Sequence, residues 1–278
     1  MTLIVGIVCK KAIVVASDSQ TTWGTGKSYD ANKMSELKYP YGRALIAESG
    51  AVVTSTETVD QLSKLAGDRK LFDQHLLSGL AEMAVRKARD KLRFQNFECS
   101  SEELQNFIER NELNSELMIA HYENGKPRID TISLALGISQ RAKSFFEAVG
   151  SGSDLATYLL GDLCQRDMEE QTASVIAVHV VEIVKRHDPY CGGPTKLGIL
   201  PYGENEVSEA MKGIIGDPFR GYFRPILLSR DAIDQIVQVV ADVELEMKEK
   251  RGEIIRDALR RKSEERLKEI YKILDPSL

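Results

Sequence analysis

Residues 1–22 read MTLIVGIVCKKAIVVASDSQTT, two β-branched runs separated by a pair of lysines. TLIVGIVCK and AIVVASDSQ are each bounded by polar residues, as short buried strands are, and Lys10–Lys11 is a break tight enough for a hairpin. The threonine directly after Met1 carries two readings. It is the first residue of a buried strand, or, once Met1 is removed, it bears a hydroxyl and a free α-amine on one residue.

Working outward, GRALIAESG (42–50) gives another buried strand ending in Ser49–Gly50. The period then changes. Residues 51–67 and 71–95 place apolar residues at helical spacing, with Thr54 or Ser55 as a local cap or break ahead of Glu57. Residues 100–112 (SSEELQNFIERNE) predict a short acidic helix capped by Ser100 or Ser101, with Glu103 near the third position. ELMIAHYENGKPRIDTISL reads as a hairpin turning at Asn124–Gly125. KSFFEAVG is a strand running into Gly150-Ser151-Gly152-Ser153, followed by helices over 154–165 and 168–187 and a strand over 195–201. Strands, two helices, strands, two helices, strands is the order of an α+β domain in which two sheets stack with helix pairs outside.

Past residue 228 the composition shifts. Ile233, Ile236, Val237, Val240 and Val243 repeat at helical spacing, and VELEMKEKRGEIIRDALRRKSEERLKEIYKIL (243–274) is dense in both charge signs. The reading is a domain over 1–228 and a charged amphipathic helical extension over 229–278. The extension is either a self-association element or a solvated helix lying over the core.

The bulk numbers remove several function classes. A chain of 278 residues that is 42% hydrophobic and 28% charged has enough apolar sequence for a full core. Its 37 basic and 42 acidic residues leave a net charge of −5, which argues against a general nucleic-acid binder, and no basic stretch carries interleaved aromatics. Cys9, Cys99, Cys164 and Cys191 lie far apart with no CxxC pair, so neither zinc nor a disulfide framework is signalled and they read as reduced thiols. No apolar run approaches the roughly 18 residues that span a bilayer, and Lys10 and Lys11 follow the first apolar run where a signal peptide would have them precede it. The expected compartment is the cytoplasm, with no membrane and no nucleic acid as partner.

Motif by motif, most chemistry falls away. GTGKS (24–28) lacks the P-loop glycine five positions before Gly26, where Thr21 stands, so it reads as a flexible loop. His75, His121, His179 and His187 form neither an i, i+4 pair nor an HExxH helix, so no metal is expected, and His179 reads as a core histidine. No GxSxG elbow occurs. Thr2 remains. A threonine hydroxyl needs a base, and its own α-amine, titrating near pH 7.7–8.0, can serve. Asp18 closes the second strand and Lys33 follows. A lysine beside the amine favours its neutral, proton-accepting form, and an aspartate keeps that lysine charged and oriented.

The N-terminal Thr, the strand pair, Lys33, SGAVVTSTETVDQL (49–62), GSGS (150–153) and RHDPYCGG (186–193) together resemble a proteasome β-type subunit, a family of N-terminal-nucleophile hydrolases. The likeness covers about residues 2–205 and is most like a bacterial proteasome homologue without a propeptide. It implies a four-layer αββα sandwich, here with a long C-terminal helical extension, and a threonine endopeptidase. Carried over by residue, Thr2 would be the nucleophile and Asp18 and Lys33 its charge pair. Ser151 and Asp188 would hold the amine and its proton network, and the backbone N–H near Gly50 would form the oxyanion hole. The resemblance implies no cofactor and no metal, a peptide or unfolded protein as substrate, a homo-oligomeric ring or double ring, and an ATP-dependent unfoldase as partner.

Three positions depart from the family pattern. The Asp18–Lys33 interval is one residue short, Gln20 stands where arginine is usual, and Cys191 occupies a serine position, where a thiol donates more weakly than a hydroxyl. Two other functions fit the same residues: an acyl-transferring peptide ligase, and a catalytically silent ring-forming scaffold or chamber subunit.

Overall fold

The apolar residues of the opening stretch do not alternate, because both faces of the strands they form are covered. β1 (Leu3–Val8) and β2 (Ala12–Ser17) are buried along nearly their whole length and pair antiparallel, with Ile4 opposite Ser17. The computed structural model describes residues 2–23, 26–40, 42–74, 76–95, 100–110, 113–123, 125–202, 226–247 and 250. The expectations that concern Met1, Gly24, His75, Cys99, Asn124 and the charged run over 251–278 lie outside these residues.

The remaining strands are β3 (Thr21–Trp23), β4 (Gly26–Ser28), β5 (Met34–Tyr39), β6 (Gly42–Gly50), β7 (Ser115–Glu123), β8 (Lys126–Ser133), β9 (Ile138–Arg141), β10 (Phe146–Gly150), β11 (Lys196–Pro201) and β12 (Ile226–Leu227). The helices are α1 (Val52–Gly67), α2 (Arg69–Gln74), α3 (Leu77–Gln95), α4 (Ser101–Arg110), α5 (Ser153–Leu163), α6 (Glu170–His187) and α7 (230–247). Among the described residues this is a mixed α/β fold with two five-stranded antiparallel sheets, ordered β10-β1-β2-β11-β12 and β5-β6-β7-β8-β9, and a two-stranded ribbon β3-β4.

One core lies between the two sheets. Ile4, Ile13, Val15 and Leu200 of the first meet Leu45, Met118, Ala120 and Ile129 of the second. The opposite face of the second sheet, with Ile46, Leu117, Ile119 and Ile132, packs against Leu62 of α1, Leu80 and Ala84 of α3 and Ile108 of α4. Helix α6 lies against β1 and β2 and α5 against β10 and β1, and Ala173, Ala177, Val180, Val181 and Val184 give α6 its buried stripe. Strand period 2 and helix period 3.6 thus each deliver apolar side chains to a covered face.

Several local expectations need correction. GTGKS is no loose loop at its end: Gly26–Ser28 pairs with Thr21–Trp23, whose β-branched and aromatic residues suit a strand. Residues 71–95 divide into α2 and α3. Thr54 and Ser55 do not cap α1. Their hydroxyls donate backward to the carbonyls of Ala51 and Val52, and the N-cap Ala51 has no side-chain bond. At α4 the spacing holds. Glu103 N donates to Ser100 Oγ at 3.2 Å and Ser100 N to Glu103 Oε2 at 2.7 Å, a reciprocal capping box.

The chain divides into two compact units, Met1–Asp234 and Gln235–Leu278, and the described part of the second, 235–247 and 250, is helical. Among the described residues no helix is long and apolar enough to cross a membrane.

Leu62 is fully buried against the second sheet. A Leu62→Ala variant is expected to lose about 2–5 kcal/mol of unfolding free energy, the transfer and cavity cost of a deleted core leucine. Urea denaturation would measure it.

Candidate active site

The β1–β2 hairpin sets the site. Because β1 and β2 run antiparallel with Ile4 opposite Ser17, the residue before β1 and the residue after β2 leave the sheet at the same end. Asp18 N donates to Leu3 O at 3.2 Å, and Leu3 N returns a bond to Asp18 Oδ1 at 3.1 Å. The carboxylate is fully buried, yet each oxygen is doubly served. Oδ1 accepts from Leu3 N and from Lys33 Nζ at 2.8 Å. Oδ2 accepts from Gln20 N at 3.2 Å and Gly192 N at 3.0 Å.

Lys33 arrives from the other sheet, one residue before β5, where its carbonyl accepts from Glu48 N at 2.8 Å. Its ammonium is 7% exposed and donates to Thr2 Oγ1 at 2.5 Å, Asp18 Oδ1 at 2.8 Å and Gln20 O at 2.6 Å. Three acceptors use its three protons. Burial pulls the Lys33 pKa below its ordinary value, and the charge and hydrogen bond of Asp18 oppose that pull. Chemically, a cation donating to Thr2 Oγ1 stabilises negative charge developing on that oxygen. It has no vacant lone pair while protonated, so the proton of the hydroxyl must leave to another base.

The backbone of Thr2 is held from the opposite edge. Ser151 N donates to Thr2 O at 2.9 Å, and Gly150 lies opposite Leu3. Gly150 has φ +101°, and a Cβ there would fall 1.8 Å from Thr2 O, so only glycine allows this approach. Ser151, solvent-exposed, sits just before α5, whose N-cap is Gly152. Its Oγ is 3.7 Å from Cys191 Sγ, and Cys191 Sγ donates to Asp188 Oδ2 at 3.5 Å. Asp188 is the C-cap residue of α6, and its Oδ1 accepts from Tyr190 N at 2.8 Å. Burial pushes the Cys191 thiol up from 9.0 to about 12.

The structure therefore joins Thr2, Asp18 and Lys33 by direct bonds, and links Ser151, Cys191 and Asp188 in a chain beside them. Gly50 ends β6 with φ +90°, where a Cβ would meet Asn114 O at 2.3 Å. Gly50 stands opposite Ser115 in the β6–β7 register, and its neighbour Ser49 places a hydroxyl beside Gly150.

Sequence reasoning missed Gln20 and Gly192. Gln20 Nε2 donates to Pro189 O at 3.2 Å, and Lys27 Nζ donates to the same carbonyl at 2.8 Å, pinning the loop that carries Asp188, Cys191 and Gly192. Gln20 was visible only as a departure, and the Gly192 bond spans 174 positions, beyond any local signal. A buried His121–Asp130 contact, at 2.7 Å, was also unmarked. It shares the face of β7 that carries Leu117 and Ile119 toward the helices, and Asp130 Oδ1 takes Arg141, so it reads as a structural pair. Among the described residues no group of three or more His, Cys, Asp or Glu could hold a metal ion.

No family model and no curated protein matches this chain. Solved structures do. An Anbu (Gly-1) mutant from Hyphomicrobium sp. strain MC1 superposes with a TM-score of 0.63 at 14% identity, covering 90% of this chain and 97% of that one. Anbu from the same strain gives 0.62 at 14% identity, with 89% and 97% covered. Anbu (ancestral beta-subunit) from Yersinia bercovieri gives 0.62 at 13% identity, with 88% and 95% covered.

These neighbours correct the expectation of a proteasome β-type subunit most like a bacterial proteasome homologue: the likeness found is to Anbu proteins, and at this identity it is a likeness of fold. The motifs behind that expectation, such as the hairpin and the GSGS turn, form the frame of the fold, so they do not separate one family built on it from another.

Two outcomes follow from the buried groups. An Asp18→Ala variant leaves Lys33 uncompensated and is expected to cost about 3–5 kcal/mol in denaturation. The Cys191 thiol, raised to about 12 when folded against 9.0 otherwise, contributes stability that is fully present below pH 9 and lost as pH rises toward 12. Cys191→Ser should therefore lose less stability than the parent across that window.

Proposed function

We propose that this chain is a threonine-type peptidase in which Thr2, made N-terminal by removal of Met1, is the nucleophile. The observation that carries it is Lys33 Nζ lying 2.5 Å from Thr2 Oγ1 and 2.8 Å from Asp18 Oδ1, all three residues buried. The freed α-amine takes the hydroxyl proton, directly or through a water. Thr2 Oγ1 attacks a peptide carbonyl, the leaving amine collects the proton, and water then resolves the acyl ester. Lys33 stabilises the attacking oxygen, Asp18 holds Lys33, and Ser151 and Asp188 order the amine. The N–H near Gly50 receives the oxyanion.

In this reading the two stacked sheets and their outer helices form a four-layer αββα N-terminal-nucleophile sandwich over 1–228, with 229–278 as its extension. The Yersinia bercovieri neighbour is named an ancestral beta-subunit. That name fits a subunit of an assembly, and the reading carries with it a self-compartmentalised homo-oligomeric ring that takes peptides or unfolded proteins, served by an ATP-dependent unfoldase. One observation favours a second reading, a catalytically silent ring subunit: the group between Ser151 and Asp188 is the Cys191 thiol, which donates more weakly than a hydroxyl would.

Intact mass and a threonine-directed β-lactone separate the two. The peptidase reading expects Met1 absent from protein made in its own host, one adduct on Thr2, and none on Thr2→Ala. Lys33→Met should slow acylation about 10²–10³-fold, the loss typical of one preorganised donor. Retention of Met1, or an adduct that survives in Thr2→Ala, sinks the peptidase reading. A ring by size measurement with no adduct on any variant establishes the silent subunit.

A further inference from the structure

The groups assembled around Thr2 come from two different sheets. Thr2, Asp18 and Ser151 belong to the ends of β1, β2 and β10, whereas Lys33 and Gly50 belong to β5 and β6. Apolar packing between sheets fixes their spacing loosely, because the contacts are numerous but non-directional. Lys33 supplies one directional tie through its bonds to Thr2 Oγ1, Asp18 Oδ1 and Gln20 O, and a second, independent of the ammonium, would hold the backbone that carries the hydroxyl.

Such a tie exists at Gly150. Leu3 turns its N–H and C=O toward Asp18, so Gly150, its partner across β1–β10, makes no bond to it and directs its own N–H away from β1. Among the described residues β10 is the edge strand of its sheet, and an outward N–H at an edge is normally left to water. Here Gly150 N donates to Glu116 Oε2 at 3.1 Å. Glu116 belongs to β7 in the opposite sheet, directly opposite Ser49 on β6, and Ser49 Oγ borders Gly150 from the same side. The next residue of β10's exit, Ser151, donates to Thr2 O. Glu116, Gly150, Ser151 and Thr2 thus form one chain of bonds from the second sheet to the backbone of the nucleophile, where no side chain fits at Gly150 to absorb a shift.

We infer that Glu116 is a positioning residue for the reaction at Thr2: its carboxylate locks the β10 exit, and with it the Thr2 backbone, to the sheet that supplies Lys33 and Gly50. This rests on the reading of Thr2 as nucleophile. Glu116 itself touches no reacting atom. Its effect is on the geometry of attack, where a small misplacement lowers rate far more than binding.

The test uses the full chain as Glu116→Ala and Glu116→Gln, the latter keeping an acceptor oxygen. Thr2 acylation by a β-lactone is followed by intact mass to separate the maximal rate from half-saturation, and amide exchange is followed in the peptide spanning Gly150–Ser151. Glu116→Ala is expected to lower the maximal acylation rate about tenfold with half-saturation within about twofold, and to speed exchange at Gly150–Ser151. Glu116→Gln should stay close to the parent in both. Parent-like acylation in Glu116→Ala, or an equal loss in Glu116→Gln, overturns the role of Glu116 while leaving the peptidase reading intact. If the parent itself takes no adduct, the peptidase reading fails and exchange alone decides the tie. Faster exchange in Ala but not Gln upholds it, and unchanged exchange in both overturns it.

Discussion

A lysine ammonium removed from water among three oxygens, 2.5, 2.8 and 2.6 Å away, is the constraint on which the centre of this structure depends. A buried cation is tolerated only when a counter-charge and acceptors replace its hydration. Asp18 provides the charge, and it in turn requires Leu3 N, Gln20 N and Gly192 N to complete its own shell. Satisfying these two residues therefore ties together the opening hairpin, the start of β5 in the other sheet and the loop after α6. The three elements meet where the buried pair finds the partners that replace its hydration.

Gln20 and Cys191 complete the surroundings of this pair. Gln20 is buried and neutral. Its amide still grips Pro189 O, while its backbone serves both Asp18 and Lys33, so the position keeps its structural bonds without adding a second cation beside Lys33. Cys191 keeps the contact with Asp188 at sulfur's longer distance and, with its thiol raised by burial, stays protonated. The Anbu structures share the frame at 13–14% identity, low enough that the frame, rather than any particular side chain, is what the likeness records.

Where the sequence was silent or misread, tertiary contacts were the reason. β5 (Met34–Tyr39) shows no clean alternation because Met34 faces the inter-sheet core and Leu37 faces the helices, so both faces carry apolar residues. Residues 71–95 keep one helical period across a break that only packing reveals. The ribbon β3–β4 is too short to announce itself and is pinned from outside, through Lys27 to Pro189. By contrast, the hairpins at Lys10–Lys11 and before Lys126, the capping box at Ser100 and the helices around Leu62 and Val181 were legible, since caps, turns and periodicity are local properties.

The sequence by itself determined the strand that places a threonine second in the chain, the aspartate at the end of the paired strand, and the period of the helices that cover both sheets. Those depend on neighbours a few positions apart. Only the tertiary structure decided that Lys33 reaches Thr2 Oγ1, that Gly192 completes Asp18 from 174 positions away, and that Glu116 closes the edge at Gly150. Each of these is a bond between groups whose proximity is created by sheet stacking and strand exits, and distance along the chain carries no record of it.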